Sequence, residues 1–176
     1  MKMMRQNNQP IKPVRVPPAR FDRVLDLVAI ILLALLWVLT LKFYIDAPEK
    51  VPTGFDAAGN PRGWGSAAFY SMMPAIGTFV VGLMFLSLRY PHLINLPVVL
   101  RQQVIAYQSA LMARCVRWLN IVCEMMMLFI LIYMAGFQYE ALYMDSEIFV
   151  SGILGNVILM LGVIIYYSVR ISRLNN

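Results

Sequence analysis

The stretch VLDLVAIILLALLWVLTLKFYI, residues Val24 to Ile45, carries its only charges near its two ends, at Asp26 and Lys42. A helix of this length rises about 33 Å, enough to cross the hydrocarbon core of a bilayer. Three further segments have the same character: Ala67 to Leu88, Trp118 to Phe137 and Ile148 to Val169. Sixty per cent of the 176 residues are apolar, 14% are charged, and the mean hydropathy is +0.68. That composition lies far from a soluble domain. Periodicity does not separate a spanning helix from a buried one. Length and the scarcity of charge do, because backbone groups in hydrocarbon must be satisfied inside the helix. The first segment is too long for a secretory signal and lacks a small-x-small cleavage site, so it reads as a retained anchor. The fold class is an all-α membrane protein with four transmembrane helices.

Basic residues beside membrane spans are retained in the cytoplasm. Twelve of the fifteen fall on one side: Lys2, Arg5, Lys12, Arg15, Arg20 and Arg23 before the first span, Arg89, Arg101, Arg114 and Arg117 between the second and third, and Arg170 and Arg173 at the end. Lys42, Lys50 and Arg62 fall on the other. Both termini are therefore expected in the cytoplasm. The net charge of +6 needs no nucleic acid, since an anionic inner leaflet attracts such residues. Cys115 and Cys123 lie about 12 Å apart along one predicted helix, too far to bridge.

The expected organisation is a basic disordered tail (1–23), the first span (24–45), an ordered outer loop (46–66), the second span (67–88), a cytoplasmic segment (89–117), the third span (118–137), a short outer loop (138–147), the fourth span (148–169) and a cytoplasmic tail (170–176). In the tail, Pro10, Pro13, Pro17 and Pro18 oppose a helix, and a retention signal outweighs a docking arm. Pro74 should kink the second span at or before its position, with Gly77 and Gly82 allowing close packing. After Pro91 and Pro97 an amphipathic helix is expected to lead into the third span. Leu100, Val104, Tyr107, Leu111 and Cys115 lie on one side, and Gln102, Gln103, Ser109, Arg114 and Arg117 on the other. The apolar side is expected to meet lipid or the rest of the chain, and a partner helix is the lesser alternative. Ser151, Gly152, Gly155 and Gly162 give the fourth span a surface for close helix packing.

The chemistry-bearing residues are few. Glu124 is the carboxylate set well inside a span, an expensive position that is a functional hypothesis by default. Asn120 is its local candidate partner, and Asn156 in the fourth span is the candidate for a hydrogen-bonded pair between helices. A neutral or snorkelling glutamate that only joins helices outweighs proton or ion passage. The single histidine, His92, reads as a loop residue. No Cys/His cluster, metal-binding helix, nucleophile elbow or phosphate loop is legible, so no catalytic residue, metal or cofactor is assigned. Asp46, Glu49 and Asp56 lack the ligand spacing of a calcium loop.

Between the first two spans lies VPTGFDAAGNPRGWGS, Val51 to Ser66. Asn60 and Pro61 suggest the start of a turn that Arg62 and Gly63 finish, while Gly54, Gly59 and Gly65 permit positive φ. Phe55 and Trp64 supply apolar handles for lying against helix tops or the membrane surface. This segment, with Ala47-Pro48-Glu49-Lys50 before it, resembles the bacterial SdpI-like membrane family carrying the domain of unknown function 1648. Phe55, Ala57, Ala58, Gly59, Pro61, Gly63, Trp64, Gly65 and Ser66 match the family pattern. Gly54, Asp56 and Ala67 stand where the family has histidine, asparagine and lysine. Asn95-Leu96-Pro97 and Arg117-Trp118-Leu119 are similar to four-span members. The resemblance implies a non-catalytic protein of the bacterial cytoplasmic membrane whose outer loop binds or senses an extracytoplasmic peptide or small ligand. Its best-known branch confers immunity to a secreted toxic peptide and signals by sequestering a repressor at the membrane. The expected loop residues are Phe55, Asp56, Gly59, Asn60, Pro61, Trp64 and Gly65. The alternative is a small proton- or ion-coupled transporter using Glu124, oligomeric because four helices enclose little volume. The bilayer is the expected partner in either case, with a second copy or another membrane protein beside it.

Overall fold

The computed structural model describes residues 14–90 and 104–175. The expectations placed on the first thirteen residues and on Pro91, His92, Pro97, Leu100, Gln102 and Gln103 lie outside the described residues. The chain runs through α1 (Arg20–Ile45), β1 (Val51–Phe55), β2 (Pro61–Gly65), a 3-10 turn (Ala67–Ser71), α2 (Met72–Arg89), α3 (Ile105–Gly136) and α4 (Ser146–Ser172). All four α-helices are long and apolar enough to cross a membrane. This is a multi-pass membrane protein with an up-down-up-down bundle. The hairpin departs from an all-α expectation.

The bundle is built around α3, which packs on each of the other three helices. Half of its most apolar window is buried, against 6% for α4, so α3 is the inner element and α4 the outermost. Buried side chains form three layers. Leu36, Phe43, Val51, Tyr70, Leu131 and Met134 fill the hairpin end. Leu25, Ala29 and Ile121 join α1 to α3 nearer the terminal end, and Leu111, Met112, Cys115, Tyr167 and Ile171 join α3 to α4 there.

Helix α1 begins at Arg20, one turn before the apolar run that starts at Val24. The Ala19 amide donates to the Asp22 carboxylate at 2.9 Å, satisfying an otherwise orphaned N–H of the first turn. Asp22 also accepts from Arg114 Nε at 2.7 Å, and Asp26 from Arg117 Nε at 2.8 Å. The amphipathic stretch therefore does not present its polar side to water. Ser109 is buried and accepts from the Val14 amide, while Arg114 and Arg117 turn to α1. Its apolar side, Leu111 and Cys115, is covered by α4. The physical reason is that two aspartates spaced one helical turn apart meet two arginines spaced likewise, and a charged seam between helices satisfies all four.

Pro74 falls in the first turn of α2, where its missing N–H costs no hydrogen bond. The break in the second span comes before it, in the 3-10 turn. Among the glycines expected at helix contacts, Gly77 faces Glu124 and Leu36 and Gly152 faces Phe129, whereas Gly82, Gly155 and Gly162 have open space beside them.

The arginine–aspartate seam generates a prediction. Arg117 is 8% exposed, and removing a partner from a buried pair typically costs about 3 kcal/mol. Asp26→Ala should lower the thermal midpoint of the detergent-solubilised protein. The exchanged pair Asp26→Arg with Arg117→Asp should recover much of the loss, and an unchanged midpoint for the single variant would remove the seam from the stability account.

Candidate functional site

The hairpin turn is formed by residues 56 to 60. Asp56 Oδ1 accepts the amides of Ala58 at 2.9 Å and Asn60 at 2.8 Å, and the Gly59 amide donates to the Asp56 carbonyl at 3.0 Å. Gly59 has φ +86°, the sole positive φ among the described residues. The turn expected at Asn60 to Gly63 is thus displaced toward the N-terminus, and Pro61 to Gly65 is a strand. Its cause is the Asp56 carboxylate, which satisfies two turn amides at once, as aspartate does in Asx-turns. Gly54 and Gly65 do not use positive φ. Gly54 pairs with Gly63 where the register slips, and Gly65 is packed against Thr53 and Phe69.

The hairpin is braced on α3 and α4 by aromatic rings. Phe55 lies 4.8 Å from Tyr133 and 5.1 Å from Phe149, and Tyr133 stacks on Phe149 at 3.9 Å. Trp64 stands edge-on to Phe137 at 6.1 Å and remains about half exposed. The Tyr133 hydroxyl donates to the Gly59 carbonyl at 2.7 Å. A Cβ on Gly59 would fall 2.9 Å from the Ser146 Cβ, so glycine is required for close approach as well as for φ. On α1, the Tyr139 hydroxyl donates to Asp46 Oδ2 at 2.7 Å and Gln138 donates to the Asp46 carbonyl.

Beside this brace is a cleft of about 380 Å³ between the hairpin tip and the α3–α4 connection. Asn60, Pro61, Phe137, Tyr143, Asp145 and Glu147 contribute to its walls. Of the loop residues singled out from sequence, Gly59, Asn60 and Pro61 line it. Phe55 and Trp64 hold the hairpin beside it, Gly65 is structural, and the Asp56 carboxylate is engaged by the turn. The walls from α3 and α4 were missed. Their signal is the recurrence of Phe129, Tyr133 and Phe137 at every fourth residue, which puts three rings on one side of α3.

The Asn60 amide, with that of Ala58, holds the Asp56 carboxyl below the ordinary value of 3.8. A carboxyl lowered in the folded state stabilises the fold fully above its ordinary value, and that contribution is lost as pH falls through the lower, folded value. Trp64 emission should stay constant down to the ordinary aspartate range and change only at more acid pH. Asp56→Ala should show the changed emission at neutral pH, and a wild-type transition above pH 5 would contradict the assignment.

Glu124 is 1% exposed in the seam of α1, α2 and α3. A Cβ on Gly77 would lie 3.0 and 3.2 Å from its two oxygens. Neither oxygen has a hydrogen-bond partner, and Asn120 Oδ1 is equally unpartnered. Asn156 instead donates to the Val122 carbonyl at 3.4 Å, from the α4 side of α3. The structure does not join Glu124 to Asn156 or Asn120: the Asn156 amide is taken up by the Val122 carbonyl, and Asn120, one turn before Glu124 on the same side of α3, makes no hydrogen bond to it. Among the described residues no three His, Cys, Asp or Glu side chains gather to hold a metal ion.

Residues 31–78, from mid-α1 through the hairpin to the start of α2, match the family model "Domain of unknown function (DUF1648)". The chain is 34% identical over 157 residues to an uncharacterized protein of Archaeoglobus fulgidus, an alignment covering 81% of this chain and 76% of that one. The chain belongs to the DUF1648 family. No solved structure matches it. The DUF1648 match takes in one wall of the cleft. Tyr133, Phe137 and the α4 residues fall outside it.

Proposed function

We propose that this DUF1648 protein is a non-catalytic, SdpI-like protein of the bacterial cytoplasmic membrane, with both termini in the cytoplasm and a hairpin cleft that binds or senses a peptide or small ligand outside. Toxin immunity and the signalling linked to it are the roles this reading favours. The observation that supports it is the brace. Phe55, Tyr133 and Phe149 fix the hairpin, the Tyr133 hydroxyl holds its tip, and an open cleft of about 380 Å³ remains beside it. Preformed clefts with a few placed polar groups are the usual form of a small-ligand site. The twelve-to-three division of basic residues supports the orientation.

Expression of the wild-type chain should protect cells from a secreted membrane-active peptide that kills vector controls. Gly59→Val, which strains the backbone and collides with Ser146, should forfeit protection by about tenfold or more at equal membrane abundance, since αL alone costs roughly 1–2 kcal/mol per residue. Equal survival would remove the immunity role. In a cysteine-free background, Thr53→Cys should react with an impermeant thiol reagent from outside and Arg173→Cys only after permeabilisation; the reverse pattern inverts the orientation.

A second reading, proton- or ion-coupled passage, is favoured by one observation, the burial of both Glu124 oxygens without a partner. An acid at a helix centre costs roughly 3 kcal/mol, and such residues commonly mark ion pathways. Proteoliposomes holding the wild-type chain should dissipate a proton gradient several times faster than those with Glu124→Gln; equal flux excludes this reading.

A further inference from the structure

At the terminal face of the bundle, α4 rests on α3 and leaves a gap toward α1. The gap is a cleft of about 450 Å³ with Phe21, Trp118 and Val163 as apolar walls and Arg114 and Arg170 at its rim. A second cleft, of about 460 Å³, shares Tyr166 and Arg170 with the first and adds Arg173. Val163 precedes Arg170 by two helical turns, so the apolar part of the groove runs about 10 Å from the guanidinium toward the middle of the bundle. Arg170 directly follows the apolar run Ile148 to Val169, which places it where hydrocarbon gives way to headgroups.

Charge is unbalanced at this mouth. Of the nine acidic residues only Asp22 and Asp26 lie at the terminal end, and they are held by Arg114 and Arg117. Arg170 donates to the Tyr166 hydroxyl at 2.7 Å and lies 5.9 Å over that ring. Neither Arg170 nor Arg173 has a carboxylate partner among the described residues. The Tyr166 hydroxyl engages one edge of the Arg170 guanidinium and the Tyr107 hydroxyl also bonds to it, while the side chain lines both clefts and offers a planar fork of five N–H groups suited to phosphate oxygens.

We propose that this groove is a specific phospholipid site. An acyl chain lies along Phe21, Trp118 and Val163, and the phosphate of an anionic headgroup sits on Arg170 and Arg173. Basic pockets between spanning helices take anionic headgroups for this reason, since the guanidinium forms charge-assisted bonds at the boundary of the low-dielectric core. The site is separate from the hairpin cleft and from Glu124.

The test uses the full chain purified in mild detergent and titrated with phosphatidylglycerol or phosphatidylcholine, with bound lipid counted by native mass spectrometry. One phosphatidylglycerol should remain bound at detergent concentrations that strip phosphatidylcholine. Arg170→Gln combined with Arg173→Gln should weaken retention about tenfold or more, while Arg20→Gln leaves it unchanged. Val163→Trp keeps both arginines but fills the groove, and it too should expel the lipid while the protein elutes as the wild type does on size exclusion. Equal retention of both lipids, or retention unaffected by the double substitution, overturns the proposal. Competition by millimolar inorganic phosphate as effective as by phosphatidylglycerol also overturns it, because the site would then read a free anion and not a lipid.

Discussion

The seam in which Arg114 and Arg117 of α3 meet Asp22 and Asp26 of α1 sets the frame for the rest of the molecule. Charge at the edge of a bilayer core must be paired or wetted, and pairing both arginines with one neighbour fixes the rotation of α3 about its axis. With α3 so rotated, Glu124 points between α1 and α2, and Phe129, Tyr133 and Phe137 point toward α4 and the hairpin. Cys115 and Leu111 then remain for α4 to cover. A single rotational setting distributes the polar, aromatic and small-residue contacts among three neighbours.

The two ends of the bundle differ in what holds them. At the terminal end, ion pairs join α1 to α3, while α4 meets α3 through aliphatic and tyrosine packing and leaves a groove toward α1. At the hairpin end, aromatic stacking takes the place of charge: Phe43 with Tyr70 and Tyr139 on one side, Phe55 with Tyr133 and Phe149 on the other. Rings offer large contact area and few rotatable bonds, and Tyr133 adds one directed hydrogen bond that sets the height of the hairpin tip. That bond and the glycine it reaches explain why the loop can be short, ordered and still leave a cleft beside it.

Glu124 and the hairpin are opposite cases of polar chemistry in one fold. Asp56 is exposed yet fully employed, its carboxylate spent on turn amides. Glu124 is buried yet unemployed, facing a glycine Cα that leaves room for it. The first is a structural device that the surrounding water makes inexpensive. The second stands in an environment where an unpartnered oxygen is costly.

By itself the sequence determined the four spanning helices, because length and the near absence of charge are local properties that bilayer thickness converts directly into structure. The importance of Val51 to Ser66 was legible too, through Gly59, Phe55 and Trp64. Only the tertiary structure decided the partners. Asp26 is legible only as a charge near the end of the first span and belongs to Arg117; Arg114 and Arg117, on the polar side of an amphipathic stretch, turn to α1; Asn156 read as a partner for Glu124 and donates to the Val122 carbonyl of α3. Each depends on helix rotation, which a nearly all-round apolar span does not encode because its hydrophobic pattern selects no face. The turn moved from Asn60–Gly63 to Asp56–Asn60 for a related reason: several positions offered turn chemistry, and the one that prevailed lets Gly59 reach Tyr133 and Ser146, on segments distant in the chain.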